Sequence, residues 1–199
     1  MMPHIDLVEL VKTWGYYGLV FIVFSENGLF FGFFFPGDSL LFTAGLLASQ
    51  NWFNVWVLIP ILIVAAIAGM GVGYWTGGKF GSWLLKQKDT WFFKKHYLVE
   101  ARAFYDKHGG KAVLLARFVP IVRTFVPIVA GVAEMNYSKF MFYNVVGGTI
   151  WVTVMTLLGY YLGLAVPQAD TYLLPIILGI VILSILPGVV HMRRNRGSK

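Results

Sequence analysis

Two arginines set inside an apolar stretch are the residues of this chain with the clearest chemical capacity. Residues 112–134 read AVLLARFVPIVRTFVPIVAGVAE, which buries Arg117 and Arg123 in a segment of membrane-spanning length. A charged side chain at the bilayer centre costs roughly 2.5–3.5 kcal/mol on insertion scales, so it faces the protein interior or water and finds a partner. Arginine offers planar, permanently charged donors suited to a phosphate, and two of them can hold a lipid phosphate head group while its tail stays in lipid. The complementary charges are Glu26 and Asp38, isolated in the apolar stretch ENGLFFGFFFPGDSLLFTAGLLAS of residues 26–49. These acids would neutralise the arginines when no substrate is bound, and their protonation as the phosphate arrives would couple transport to a proton gradient.

The elements that position these groups follow from composition and charge. With 58% hydrophobic and only 13% charged residues the chain departs far from soluble averages, and its mean hydropathy is +0.71. It reads as an all-α integral membrane protein with one membrane domain. No Asp, Glu, Lys or Arg occurs in 39–78, 140–169 or 171–192, and about 20 residues span a bilayer, so crossings are expected at 55–78, 140–165 and 171–192.

The net charge of +7 gathers in two places, between Lys79 and Lys111 and in the tail from Arg193 to Lys199. Positive-inside topology puts both at the cytoplasmic face. The crossings at 140–165 and 171–192 return the chain to the side it left, so both basic regions share a face only if residues 111–134 enter and leave by the same side. That makes this segment a re-entrant hairpin. Pro120 and Pro127 interrupt it, since each removes a backbone donor and clashes with the preceding turn. Residues 26–50, with Pro36-Gly37 as central breaker, form a second re-entrant hairpin entering from the opposite leaflet. Pro36-Gly37-Asp38 leads to Ala44-Gly45 as Pro120–Arg123 leads to Ala130-Gly131, each followed by a long crossing. Inverted repeats with broken helices near the midplane are a transporter signature. Between 90 and 108, Phe93, Tyr97, Ala101 and Phe104 fall at helical spacing opposite Lys94, Lys95, Arg102 and Lys107, the pattern of an interfacial amphipathic helix. Trp14, Trp52, Trp56, Trp75, Trp83 and Trp91 sit near span ends as an aromatic belt.

Enzyme classes find little support. The chain has no Cys, no HExxH, no GxSxG elbow and no GxxxxGK[ST] loop, and His4, His96, His108 and His191 fall in terminal or surface regions. No catalytic residue, metal site or cofactor is expected. Basic charge that reports orientation gives no reason for nucleic-acid binding, and no oligomeric state is implied. The N-terminus lacks the ordered regions of a signal peptide, so residues 19–24 read as part of the folded structure.

Other readings of the same residues stand beside these. Asp38 before Ser-Leu-Leu is an ordinary helix cap. Glu26 paired with either arginine is a structural salt bridge. Asn144 reads as an interhelical hydrogen bond, and Gly69, Gly71, Gly73, Gly77 and Gly78 as close helix packing.

The segments FFPGDSLLFTAG, YDKHGGK and ARFVPIVRTFVPIVAG closely resemble the bacterial DedA family, within the wider SNARE-associated or VTT membrane family. The likeness runs roughly from Val11 to Val190. It implies two opposed re-entrant hairpins, a bacterial inner-membrane location, and the return of a lipid carrier such as undecaprenyl phosphate to the cytoplasmic leaflet, coupled to membrane energetics, for which protons and sodium are the candidate ions. It also implies that Glu26, Asp38, Arg117 and Arg123 are the functional positions. Many relatives carry an aspartate after the glycine matching Gly69, where this chain has Met70, so any coupling that needs that third acid is in doubt here. The alternative function is a non-transporting scaffold or a factor for ion and proton-motive-force homeostasis, whose buried charges fix its fold.

Overall fold

Asparagine caps and apolar content define the long helices. In the computed structural model, which describes residues 7–29, 37–84, 107, 109–117 and 120–165, the described residues form helices and no strand. These are α1 (Leu7–Gly28), α2 (Gly37–Ser49), α3 (Val55–Leu84), α4 (Lys111–Ala116), α5 (Pro120–Val132) and α6 (Tyr137–Ala165). Apart from Lys107, the interfacial helix expected at 90–108 lies outside the described residues, as do the crossing expected at 171–192 and the basic tail.

Two of these helices are long and apolar enough to cross a membrane, over Val55–Phe80 and Tyr137–Ala165. Only 39% and 33% of their most apolar windows are buried, so most of the apolar surface faces outward. Trp56, Val64 and Leu158 are 78%, 66% and 55% exposed. A soluble core helix would hide these side chains; a helix solvated by lipid has no reason to.

Two connections are built the same way. α2 ends with Asn51 at φ 63°, where Asn51 N–H donates to the Ala48 carbonyl and Trp52 N–H to that of Leu47, both at 3.1 Å. α5 ends with Glu134 at φ 54°, with Glu134 N–H on Gly131 and Met135 N–H on Ala130, both at 3.0 Å. Each is a Schellman motif that satisfies the last carbonyls of its helix. Asn54 Oδ1 then accepts from Trp56 N–H at 2.9 Å to start α3, and Asn136 Oδ1 accepts from Lys139 N–H at 3.1 Å to start α6.

The chain divides into two compact units, one of Met1–Ile22, Phe34–Leu62 and Val152–Lys199, the other of Val23–Phe33 and Ile63–Trp151. In the first, α2 lies on the second half of α6 with almost no side chain between them. A Cβ at Gly45 would overlap the Thr156 carbonyl, and one at Gly159 would overlap the Phe42 carbonyl. Asn54 N–H donates to Tyr16 Oη at 2.8 Å, tying α1 to the α2–α3 turn.

In the second unit α5 lies on α3 through the same contact set. A Cβ at Gly131 would overlap the Tyr74 carbonyl, and one at Gly77 the Ile128 carbonyl. In both crossings the overlapped carbonyl lies three residues before the partner glycine. Small residues at four-residue spacing, Gly73 and Gly77 here and Gly159 and Gly163 there, let backbones approach this closely. A core of Met70, Val113, Val126, Ala130, Ala133, Met135 and Phe140 fills the unit. Tyr74 stacks on Phe140 at 4.7 Å and donates its hydroxyl to the Met135 carbonyl.

The proline-bearing segment is interrupted at only one of its two prolines. α4 stops at Ala116 and α5 begins at Pro120, as it must: a continuous helix would drive the Pro120 ring into the Ala116 carbonyl, whereas at a first helical position proline fits. Pro127 does not divide the helix. It sits inside α5, where a Cβ at Gly73 would be 3.1 Å from its ring, so the bare glycine surface of α3 accommodates it.

Candidate functional site

Glu26 lies in the last turn of α1, held against α3 by a backbone contact so close that a Cβ at Gly28 would be 2.7 Å from the Gly69 carbonyl oxygen. That approach puts its carboxylate in the interior, at 1% exposure. Arg123, one turn into α5 and 2% exposed, donates from Nη2 to Glu26 Oε1. Its guanidinium carbon lies 4.2 Å from the centroid of the Trp151 ring.

Arg117 caps the C-terminus of α4 and is 1% exposed. Its Nη1 donates to Asn144 Oδ1 at 2.7 Å and to the Asn144 carbonyl at 3.2 Å, and it approaches Met70 Sδ at 2.8 Å. Asn144 is oriented in turn, since its Nδ2 donates to the Ile67 carbonyl of α3 at 3.1 Å. A backbone carbonyl can only accept, which fixes Oδ1 toward the arginine.

The other edge of Arg117, formed by the buried Nε and Nη2, has no hydrogen-bond partner among the described residues. These two donors share one edge of the guanidinium plane, the fork that binds a carboxylate or phosphate through two parallel hydrogen bonds. The partners that Arg117 does have are an amide, a carbonyl and a thioether, all uncharged. Glu26, Arg117 and Arg123 together bring two guanidinium groups and one carboxylate into the interior, an arrangement with the chemistry to bind an oxyanion. Among the described residues no group of three His, Asp or Glu side chains is assembled as for a metal.

Of the four residues singled out in the sequence, three come together in one unit: Glu26, Arg117 and Arg123. Asp38 belongs to the other unit, half-buried in the first turn of α2, where a carboxylate is favoured by the helix dipole.

Asn144 makes the interhelical hydrogen bond expected of it and in addition holds Arg117. Two residues at the site had no role assigned in the sequence, Met70 and Trp151. The signal that could have found Trp151 is its register, because Asn144, Gly147, Gly148 and Trp151 recur at three- and four-residue spacing along one stripe of α6.

Met70→Asp would put a carboxylate beside an Arg117 that is held by neutral groups only. The expected result is a gain of about 1–2 kcal/mol in stability at neutral pH, read as a higher Tm in detergent. An unchanged or lower Tm would mean that the charge of Arg117 is already compensated.

The VTT domain matches residues 35–161. The chain is 46% identical to Protein DedA of Escherichia coli (strain K12) over 97% of its own length and 91% of that protein's. It is 44% identical to the uncharacterized membrane protein ML0287 of Mycobacterium leprae (strain TN), over 85% of this chain and 75% of that one. Inner membrane protein YqjA of Escherichia coli (strain K12) is 38% identical over 74% of this chain and 67% of its own. No solved structure matches.

Proposed function

From a chain that belongs to the VTT-domain, or DedA, family of membrane proteins, we propose a transporter that binds the phosphate of a polyprenyl-phosphate lipid carrier, such as undecaprenyl phosphate, and carries it between leaflets. The observation that carries this reading is the open Nε–Nη2 edge of Arg117, two buried donors in bidentate geometry with no acceptor among the described residues. In a medium without water such an edge is expensive unless something fills it part of the time. A phosphate head group fills it and leaves its polyprenyl tail in lipid.

The architecture that goes with this role is a pair of opposed re-entrant hairpins, at about 26–50 and 111–134, in inverted repeats. The reciprocal glycine crossings support it, because the arm that precedes α3 packs on α6 while the arm that precedes α6 packs on α3 with equivalent contacts. The matched Schellman turns and asparagine caps support it as well. In this arrangement the arginines lie near the midplane of a bacterial inner membrane, with the region from Lys79 to Lys111 and the C-terminus cytoplasmic. Glu26 occupies Arg123 in the resting site. When a dianionic phosphate enters, a proton or sodium ion on Glu26 restores charge balance, and Asp38 is the second acid of the coupling.

A second reading, a non-transporting scaffold or ion-homeostasis factor, draws on the Glu26–Arg123 pair, which alone would do no more than fasten α1 to α5. It gives the open edge of Arg117 no use.

Binding of a polyprenyl phosphate and of the matching neutral polyprenol to the purified chain separates the two. Two charge-assisted hydrogen bonds at about 1.5–3 kcal/mol each predict a preference of at least about 100-fold for the phosphate, reduced to near unity by Arg117→Ala. Equal affinity for phosphate and alcohol in the unmodified protein favours the scaffold.

A further inference from the structure

We infer that Trp151 is the residue that positions the two arginines for anion capture, a role that rests on the lipid-phosphate reading above. Its indole is buried, at 3% exposure, and meets both cations, with the guanidinium carbon of Arg123 4.2 Å and that of Arg117 5.6 Å from the ring centroid. The two groups therefore lie no further apart than the sum of those distances. Like charges so close repel strongly where water is excluded, and Glu26 is the carboxylate that pairs with one of them.

The face of an indole is the best aromatic partner for a cation, and it attracts through its quadrupole while the ring itself stays uncharged. It therefore stabilises both guanidinium groups without occupying the donors that an incoming anion needs, as a second carboxylate would. A ring face takes up no hydrogen bond of the ordinary kind, so the Arg117 donors not taken by Asn144, Nε and Nη2, stay available along one edge.

The surface of α6 is shaped to allow this. One turn before Trp151, a Cβ at Gly148 would lie 3.1 Å from Arg117 Nη2 and 3.3 Å from its Cζ, and a Cβ at Gly147 would lie 3.2 Å from its Cδ. The guanidinium thus rests on bare helix between Asn144, which grips Nη1, and Trp151. The stripe Asn144, Gly147, Gly148, Trp151 works as one cradle: an amide fixes one end of the arginine, glycines clear its path and the indole meets its charge.

Two substitutions separate this role from plain packing. Trp151→Phe retains a ring face with a weaker quadrupole, whereas Trp151→Leu fills space with no quadrupole. The test is titration of the purified full-length chain in detergent with farnesyl phosphate, a short prenyl phosphate, followed by calorimetry and by intrinsic fluorescence. Affinity should fall in the order Trp, Phe, Leu, with the Leu variant weaker by about tenfold or more. Binding should also alter the tryptophan emission of the unmodified protein, and that change should vanish in Trp151→Phe. If the unmodified protein binds while the Phe and Leu variants bind as tightly as it does, or if its emission change persists in Trp151→Phe, the positioning role is wrong and the lipid-phosphate reading stands. Should the Leu variant not fold, the emission change and the Phe variant still decide the matter. If the unmodified protein does not bind farnesyl phosphate at all, the lipid-phosphate reading fails and this inference falls with it.

Discussion

Glu26→Gln will lower the stability of the protein by about 3–5 kcal/mol, the largest effect expected of any single change at the site. The cost arises because removing one partner of a buried ion pair leaves the other charge in a low-dielectric interior without its counter-ion. Glu26 and Arg123 are 1% and 2% exposed and bonded to one another, so water cannot take the place of the carboxylate. The Trp151 face against Arg123 offsets part of the loss, which puts the lower end of the range within reach. Pairing this change with Arg123→Gln should recover most of it, since two neutral amides can hydrogen-bond and neither carries an unscreened charge. Unfolding in mild detergent measures both. A single variant as stable as the parent, or a double variant no better than the single, would show that this pair does not hold α1 to α5.

Arg117→Lys will keep the fold and lose the anion. Lysine preserves the charge beside Asn144 and Met70, and its ammonium can still donate to Asn144 Oδ1. It has no Nε–Nη2 edge, however, and a point charge cannot make two parallel bonds to a phosphate. Loss of one charge-assisted hydrogen bond at about 1.5–3 kcal/mol predicts prenyl-phosphate affinity lower by about 10- to 100-fold, with a Tm close to that of the parent. Thermal unfolding and equilibrium binding on the same preparation check the two halves. Collapse of the fold would mark Arg117 as structural, and undiminished affinity would show that the fork is not used.

Much of the architecture is written in local chemistry. Charge-free stretches longer than a bilayer is thick announce α3 and α6, and Pro120 announces the end of α4, because sterics at a proline act within one turn. Pro127 misleads for the same reason: its fit inside α5 depends on the bare glycine surface of α3, a partner 54 residues earlier in the chain. The reciprocal crossings were foreshadowed by Ala44-Gly45 and Ala130-Gly131, yet which helix each arm meets is a tertiary fact.

The site divides along the same line. Buried charges are conspicuous in an apolar chain, so Glu26, Arg117 and Arg123 could be named from residue type alone. Which arginine takes the carboxylate could not, since Glu26 is 97 residues from Arg123 and has similar claims on either. Trp151 escaped because an indole in a membrane protein looks like ordinary packing, and Met70 stood out only as the place of an acid that relatives carry. Only their distances from Arg117 and Arg123 give them chemical meaning.

These features converge on an asymmetric pair, one arginine answered by Glu26 and set over the Trp151 ring, the other gripped at Nη1 and without an acceptor along its edge. Transport through such a site needs the phosphate to reach that edge from one leaflet and leave it toward the other. The measurement that tests this most directly is leaflet-resolved movement of undecaprenyl phosphate in proteoliposomes holding the parent chain, with Arg117→Lys reconstituted to the same density alongside. The account predicts movement well above that of empty vesicles for the parent and a loss of at least about tenfold for the lysine variant. Equal rates for the two proteins, or a parent no faster than bare lipid, would contradict it.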